Sequence, residues 1–399
     1  MTMTRQAPPE TAEETLARAK ALAPHLRERA EEIERARRLP PDVVEMLRDT
    51  GVFRMTFPRE RGGTELTSIE QTEVVEALSY GDASAGWCGI IGSGTGLYCS
   101  FLADDVGREM FPSLDMITAG MLFPVGRAER VPGGYRLSGR WTFGSGITHC
   151  DWVISGAFIY SGGKPSPSPD GRDPHDSRLF MVLPRDVEVI DNWHTTGLAG
   201  SGSCDYTITD VFVPEEHTLS FNTVHGRPSP LAQPESFMRT VPGVPLGVAR
   251  AALDHVREIA RTRVDRGSGV PWADNYRMQV TLAECEADFI ATRNGVYGSM
   301  RRQWEVLSTG TQEDLTLDER AALPLSRLHA FRTARSIVTR LYDLLQTGSI
   351  HRAGPMDRWL RDTTTMCQHL LAQDRILQSA GAHLLGGTPD FRLCLGLVE

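Results

Sequence analysis

The chain has 399 residues, of which 40% are hydrophobic and 23% charged, the composition of an ordinary soluble globular protein with more than one domain. Its 42 basic and 51 acidic side chains give a net charge of −9, which argues against a nucleic-acid-binding surface or a basic membrane anchor. It has no apolar run of about eighteen residues, no apolar core of a secretory signal, and no CxxC among its seven cysteines. These features predict a cytoplasmic protein without metal, nucleic-acid or membrane binding.

The first part of the chain, residues 1–115, has the periodicity of helices. Apolar residues recur every three or four positions over 14–36, with charged residues on the other face. Thr67 and Glu70 have the spacing of a capping box at the start of a further helix. The segment 83–102 is unusually apolar and rich in glycine, so we expect it to be buried on most sides.

From about 116 to 222 the hydrophobic period shifts towards two, which is typical of strands. Residues 118–143 predict a hairpin that turns at Pro132-Gly133-Gly134. The segment 161–177 holds almost nothing apolar and predicts a mobile surface loop. Further strands are predicted at 152–160, 179–183 and 203–213.

The remainder, 223–399, is helical again from about residue 235. The long segments with apolar stripes favour a four-helix bundle. Strands and helices do not alternate along the chain, which excludes a Rossmann or barrel plan. The predicted helices cover roughly 243–265, 272–305, 317–347 and 356–385.

One candidate site lies at the end of a predicted strand. Trp141 and Phe143 alternate on one face of that strand, which runs into a glycine turn containing Ser145 and Gly146. Such a strand end can place an indole against a flat heterocycle and offer it a hydroxyl group. The residues alone leave a second interpretation open, an ordinary hairpin with aromatic residues in its core.

A second glycine-rich stretch, 196–205, contains Gly200 and Ser201 and precedes the last strand. It is not a dinucleotide fingerprint, because the spacing is wrong and a strand rather than a helix follows. The stretch 92–96 fails the same test, since Leu97 stands where a glycine is needed.

The last predicted helix carries a third candidate. Asp362, Met366 and His369 lie within two turns on one side of it. A lone histidine on a helix is more often a structural hydrogen-bonding group than a catalytic one, so both interpretations stay open.

Together, the helical first part, the β domain with its Trp-x-Phe-x-Ser-Gly strand end and the four-helix bundle resemble the acyl-CoA dehydrogenase fold, over about residues 14 to 390. The resemblance implies a mainly α protein with a central β domain that assembles as a homotetramer. It implies an N-terminal helical domain, a small β-barrel domain and a C-terminal four-helix bundle at 1–115, 116–222 and 223–399.

The resemblance also implies which residues bind flavin. Arg263 to Gly267 is similar to the Arg-x-x-Phe-Gly motif whose arginine meets the flavin phosphates across a subunit interface, although Arg266 replaces the aromatic residue. The other implied flavin-binding residues, at the strand end and in the second glycine-rich turn, are Trp141, Phe143, Ser145, Gly146, Gly200 and Ser201.

The sequence departs from the dehydrogenases at the catalytic base. Those enzymes carry a glutamate about eight residues after the aspartate that corresponds to Asp362, and here that position is Leu370, preceded by His369. The alternative glutamate position falls near Phe237, with Glu235 close by in sequence. Without a carboxylate, the α-proton of an acyl thioester has no acceptor, so the standard dehydrogenase mechanism is not expected.

The two-component flavin-dependent monooxygenases of the same fold resemble the chain better. They take reduced FMN or FAD from a separate flavin reductase and use oxygen, through a C4a-hydroperoxyflavin, to hydroxylate or N- or S-oxygenate small organic molecules. Ser145 matches their serine near flavin N5, and Gln368-His369 matches their late histidine. The resemblance implies Ser145 and His369 as catalytic residues, with His369 handling a proton at a pKa near neutrality and His149 as the rival histidine.

A second departure concerns the substrate. Phenol-hydroxylating relatives often carry a histidine eight residues after the motif that Ala85-Gly86-Trp87 matches, and here that position is Thr95. This favours a biosynthetic substrate, or oxidation at nitrogen or sulfur. Two alternatives are kept: a flavin dehydrogenase or desaturase with His369 or Glu235 as its base, and a non-catalytic protein of the same fold.

Overall fold

The computed structural model describes residues 7–168, 175–226, 229–265, 267–352 and 354–397. In this part of the chain, helices come first, an eight-stranded sheet follows, and helices return. None of the described helices has both the length and the apolar character needed to cross a membrane.

The first helices form where their caps and apolar stripes predict them. Thr67 and Glu70 make the predicted capping box, in which each side chain bonds the backbone N–H of the other residue. The predicted buried segment is also confirmed, since α4 exposes almost none of its residues. The helices are α1 (Ala12–Ala36), α2 (Pro41–Thr50), α3 (Ser68–Gly81), α4 (Ala83–Gly92), α5 (Gly94–Tyr98) and α6 (Asp104–Met110).

The central strands build one sheet in the order β6-β7-β2-β1-β3-β5-β8, with β4 paired to β3. The predicted hairpin is confirmed as β1 and β2, joined at Gly133, whose φ of 79° suits a glycine. The strands are β1 (Thr118–Val131), β2 (Gly134–Gly144), β3 (Trp152–Ser161), β4 (Lys164–Pro165), β5 (Ser177–Val182), β6 (Glu188–Ile190), β7 (Cys204–Pro214) and β8 (Thr218–Leu219).

The predicted mobile loop at 161–177 needs correction. Its first residues turn back and pair with β3, with Lys164 opposite Ser161 and Pro165 opposite Tyr160. The polar composition misled the prediction, because a short hairpin at the sheet edge needs no apolar residues. Residues 169–174 of this segment lie outside the described part of the chain.

The C-terminal helices include a second correction. The helix predicted at 356–385 is two helices, with His369 and Gln373 in the break between them. The His369 Nδ1 accepts from the Leu371 N–H at 3.3 Å, and the Gln373 Nε2 donates to the Cys367 carbonyl at 2.8 Å, so side chains replace helical bonds there. The helices are α7 (Ser236–Arg239), α8 (Gly243–Thr262), α9 (Tyr276–Thr309), α10 (Leu317–Leu345), α11 (Pro355–Met366) and α12 (Asp374–Leu385).

The buried apolar side chains of the described residues form three clusters, the smallest of which packs α5 and α6 against β3 and β5. The largest is continuous from the first helices into the C-terminal helices, so that Leu26 and Val75 belong to the same cluster as Val256 and Phe331. The sheet encloses its own core around Trp141. The type of element changes between residues 110 and 118 and again between 219 and 236. The division into domains at 1–115, 116–222 and 223–399 stays a prediction.

Candidate functional site

A cavity of about 1060 Å³ lies where α4, the sheet and the segments that follow α11 and α12 meet. Its wall is mostly apolar and contains several aromatic side chains, as is usual for sites that bind organic molecules. Part of the wall comes from a bulge in β1, since the pairing with β3 shifts register between Met121 and Gly126. The bulge brings Phe123 into the wall, 6.1 Å from the ring of Phe391.

Trp87, on α4, joins the two predicted catalytic residues. Its indole Nε1 donates to the Ser145 Oγ at 3.0 Å, and its ring meets the His369 ring edge to face at 5.1 Å. All three side chains belong to the cavity wall. The structure therefore brings Ser145 and His369, which are distant in sequence, into contact with one buried indole.

Ser145 also begins a chain of serine hydroxyl groups. The Ser145 Oγ lies 2.7 Å from the Ser203 Oγ, which lies 2.7 Å from the Ser201 Oγ. The Ser201 Oγ donates to the carbonyl of Leu198 at 2.7 Å, and the Gly146 N–H donates to the Ser201 carbonyl at 3.0 Å. The predicted residues Ser145, Gly146 and Ser201 thus form one network.

Asp362 stabilises the turn at Leu198 by a hydrogen bond on the side away from the cavity. Leu198 has a φ of 51°, and its N–H donates to the Asp362 Oδ1 at 2.7 Å. A Cβ on Gly197 would stand 2.3 Å from the Arg361 carbonyl, so only glycine fits there. Burial raises the pKa of Asp362 to about 7, although its bond from Leu198 opposes this shift. Asp362 therefore anchors the serine chain and lies behind the wall.

His369 faces the cavity as a neutral ring. Its burial, and then the buried Arg327 guanidinium, lower its pKa to about 4. The predicted pKa near neutrality is therefore wrong, because the ring packs between Trp87 and Phe331, the second of which is nearly parallel to it at 6.4 Å. Since Nδ1 accepts from Leu371, the proton of the neutral ring is on Nε2. His369 can donate one hydrogen bond through that nitrogen.

The predicted contact between Trp141 and a flavin ring does not fit the structure. Trp141 is fully buried in the sheet, where its Nε1 donates to the Gly156 carbonyl at 2.8 Å and its ring stacks on Tyr206 at 5.4 Å. Arg140 and Thr142, on the opposite face of β2, line the cavity instead. Side chains alternate along a strand, so the prediction assigned the wrong face.

Phe143 lines the cavity, and its contact with the flavin stays a prediction. Its φ of 61° interrupts the alternation of β2 and turns the ring to the side of Arg140 and Thr142. The ring is 58% exposed and lies 6.1 Å from Trp193, edge to face. Two aromatic rings therefore border one side of the cavity.

Comparison with known proteins agrees with this geometry. Residues 10–109 match the N-terminal domain of acyl-CoA dehydrogenases, and residues 240–374 match their C-terminal domain. The chain is 31% identical to the indole-3-acetate monooxygenase of Pseudomonas putida, over 92% of this chain and 93% of the relative. The chain belongs to the flavin-dependent monooxygenases with the acyl-CoA dehydrogenase fold.

Two further relatives support this assignment. The oxygenase subunit HsaA of a Rhodococcus jostii flavin-dependent monooxygenase is 25% identical over 94% of this chain and 97% of the subunit. The structure of XiaF from Streptomyces, solved with FADH2 and glycerol, superposes with a TM-score of 0.86 at 25% identity, covering 95% of this chain and 96% of XiaF. The predicted fold and enzyme class are confirmed: this monooxygenase is an oxygenase component, and its cofactor is a reduced flavin, FMN or FAD.

The cavity of the monooxygenase suits that cofactor. It is large enough for a tricyclic ring and a substrate together, and the hydroxyl of Ser145 is in its wall beside the aromatic side chains. When bound, reduced flavin activates oxygen for transfer to a substrate. Ser145 and Phe143 are the predicted residues that can touch the ring from the sheet, and His369 can approach it from the break between α11 and α12.

The other predicted flavin-binding residues are not at the cavity. Gly200 packs behind it, where an added Cβ would stand 2.2 Å from the Ile33 Cγ2. Arg263 is exposed at the end of α8, and its guanidinium lies 5.5 Å from the centre of the Trp272 ring. Arg266, which replaces the aromatic residue of the motif, lies outside the described residues.

His149, the rival histidine, lies outside the cavity wall that the described residues form. Its ring is buried, and neither ring nitrogen has a hydrogen-bond partner in the described part of the chain. Burial, and then the Arg48 guanidinium, lower its pKa to about 4. The geometry therefore favours His369 over His149 as the histidine near the flavin.

Glu235, one of the two bases named for the dehydrogenase alternative, is not among the described residues that line the cavity. Its Oε1 accepts from the Arg239 Nε, the Gln303 Nε2 and the Gln312 Nε2 at 3.1, 3.1 and 2.7 Å. Both Glu235 and Arg239 are almost completely buried. A carboxylate held in this way cannot reach a substrate, which agrees with the assignment to the monooxygenases.

Two residues of the site were missed by the sequence analysis. Trp87 ends the Ala85-Gly86-Trp87 motif, for which the sequence predicted a consequence only at Thr95, eight residues later. Ser203 lies in the second glycine-rich stretch and was not distinguished from its neighbours. No local signal identifies Ser203, because Ser201 ends a 3-10 turn and Gly202 has a φ of 55°, so the two hydroxyl groups meet only through the folded backbone of this turn.

Proposed function

We propose that this monooxygenase oxygenates a planar aromatic or heteroaromatic substrate, using reduced FMN or FAD from a separate flavin reductase. The observation that carries this proposal is the aromatic lining of the cavity. Phe221 and Phe237 stack there with their centres 5.6 Å apart and their planes at 17°. Flat apolar walls favour flat apolar ligands. The relative named for indole-3-acetate supports the same class of substrate.

The substrate is not expected to bind as a phenolate at the position that phenol hydroxylases use. Thr95 stands there, and it is buried with its Oγ1 bonded to the Gly92 carbonyl and to the Thr118 Oγ1, both at 3.0 Å. A neutral, already bonded hydroxyl cannot stabilise a buried anion. We therefore favour oxygenation of a neutral ring, at carbon, nitrogen or sulfur.

Three side chains have distinct roles at the proposed site. Ser145 accepts a hydrogen bond at the flavin N5 edge, and the His369 Nε2–H donates to the oxygen that is transferred or to the substrate. Trp87 positions both of them through its bond to Ser145 and its contact with His369. The apolar wall excludes water, which strengthens these hydrogen bonds.

The assembly and location of the monooxygenase are part of the proposal. Exposed apolar residues on the C-terminal helices, among them Tyr276, Ile290 and Leu385, fit a homotetramer in which helices of neighbouring subunits pack together. Arg263, exposed and away from the cavity of its own chain, would then meet the flavin phosphates of a neighbouring subunit. We place the enzyme in the cytoplasm, where a reductase can supply reduced flavin.

Supplying chemically reduced flavin and oxygen-18 gas together with a panel of indoles, phenols and aliphatic thioesters tests the function. We expect one labelled oxygen atom in the products of the indoles, measured by mass spectrometry. Bleaching of bound oxidised flavin by a thioester would support the dehydrogenase alternative instead. If the protein bound flavin in neither redox state, the non-catalytic alternative would stand.

Ser145→Ala should uncouple the reaction while reduced flavin still binds. The variant loses one hydrogen bond at the flavin edge, worth about 1–1.5 kcal/mol, which corresponds to about a tenfold change in rate. We expect hydrogen peroxide to form about ten times faster relative to product. Stopped-flow absorbance and a peroxide assay measure this ratio, and an unchanged ratio would remove Ser145 from the catalytic site.

A further inference from the structure

The directions of the bonds in the serine chain are fixed from one end. The carbonyl of Leu198 has no proton, so the Ser201 hydroxyl must donate its single proton to that carbonyl. The contact between Ser201 and Ser203 then requires the Ser203 proton, since that of Ser201 is already used. By the same reasoning, Ser145 must donate its proton to Ser203.

The carbonyl at the end of the chain is firmly held. The Leu198 oxygen accepts from the Ser201 Oγ at 2.7 Å, from the Ser201 N–H at 3.0 Å and from the Trp193 Nε1 at 3.1 Å. The other end is also fixed, because an indole N–H can only donate and Trp87 donates to Ser145. Because the chain ends in a carbonyl, which only accepts, and an indole N–H, which only donates, every hydroxyl between them must donate in the direction of the carbonyl. This order of donation cannot reverse.

Ser145 therefore faces the cavity as a hydrogen-bond acceptor only. Its proton points to Ser203, one lone pair receives the Trp87 N–H, and one lone pair remains. A reduced flavin carries a proton on N5, whereas an oxidised flavin presents a bare lone pair there. The remaining lone pair of Ser145 can bind the first form and has no hydrogen bond to offer the second.

We propose that Ser203 and Ser201 are positioning residues that make Ser145 an obligate acceptor, so that the site binds reduced flavin in preference to oxidised flavin. This inference rests on the proposed function, in which the flavin N5 edge lies against Ser145. Flavin enters this site reduced and leaves it oxidised. Weaker binding of the oxidised form therefore favours its release to the reductase. One hydrogen bond made with one form only corresponds to about a tenfold difference in affinity.

Ser203→Ala tests the inference by releasing the Ser145 proton, which can then turn to a bare N5. We expect the dissociation constant of oxidised FMN to fall about tenfold, with little change for reduced FMN. Tryptophan fluorescence would follow titrations with oxidised FMN in air and with dithionite-reduced FMN without oxygen, and FAD would be titrated in parallel. The midpoint potential of bound flavin should become about 30 mV more negative, the equivalent of a tenfold change for two electrons.

Matched variants show whether a change in flavin affinity comes from the direction of the serine hydrogen bonds or from a general loss of packing. Ser203→Thr keeps a hydroxyl at this position and should keep the wild-type preference. Ser201→Ala removes the acceptor of the Ser203 proton and should lower the preference in the same direction, which keeps the test open if Ser203→Ala does not fold. Ser326→Ala breaks a serine–serine bond of 2.9 Å between α10 and α9 and should leave both affinities unchanged.

Each result decides one question. A folded Ser203→Ala protein with the wild-type ratio of affinities would overturn the inference and leave the proposed function standing. A wild-type protein that bound both forms equally would also overturn the inference. Binding of neither form by the wild type would remove the proposed function together with it.

Discussion

His369→Ala should reduce product formation about a hundredfold, the usual effect of losing one well-placed proton donor. Reduced flavin should still bind and react with oxygen, because the ring occupies only one side of the cavity. The Nε2–H of His369 is its free donor, since Nδ1 accepts from the Leu371 N–H at 3.3 Å. Flavin oxidation is followed by stopped-flow absorbance and product by chromatography, so the two are measured separately.

His149→Ala is the matched control, because His149 is also a buried neutral histidine but lies behind the wall. We expect it to retain coupled product formation. If His149→Ala lost product while His369→Ala kept it, the catalytic histidine would have been chosen wrongly. His369→Gln, which retains an N–H donor, should recover part of the activity.

The low pKa of His369 also determines the pH dependence of this step. With a pKa of about 4, lowered first by burial, the ring is almost entirely neutral above about pH 6 and keeps its Nε2 proton. His369 should therefore add no titration to the product-forming step between about pH 6 and about pH 8. A change in this range that disappears in His369→Gln would contradict a neutral donor.

The fold could be predicted from the sequence because its signals are local and repeated. The helical period, the capping box at Thr67 and the hairpin turn at Gly133 each depend on a few neighbouring residues, and each is confirmed. The break at His369 was missed for the opposite reason. Nothing in the periodicity marks it, since the bonds of His369 and Gln373 replace the helical ones only in the folded chain.

The site could be predicted only in part. The position of Ser145 at a strand end predicted it as a site residue. The sequence did not predict which face of β2 borders the cavity, because the φ of 61° at Phe143 interrupts the alternation that the prediction assumed. The low pKa of His369 arises from residues distant in sequence, among them Arg327. The bonds of Ser145 to Trp87 and to Ser203 each span 58 positions, so no local pattern reveals them.

Arg239→Met should destabilise the enzyme by about 3–5 kcal/mol, the usual cost of leaving a buried charge without its partner. Arg239 and Glu235 are each 1% exposed, and the Glu235 Oε2 has no partner among the described residues. The two glutamines on Oε1 would remain, but neutral amides do not balance a buried carboxylate. Urea unfolding followed by circular dichroism measures the loss.

Glu235→Gln in the Arg239→Met background should restore most of that stability, since the neutral side chain keeps an oxygen for Gln303 and Gln312. Arg302→Met is the control, because it breaks the exposed pair with Glu319 and should cost far less. If the double variant were as unstable as Arg239→Met alone, lost packing rather than the unpaired charge would explain the effect. Recovery in the double variant would instead establish Glu235 as one half of a structural ion pair, a role that a dehydrogenase base could not also fill.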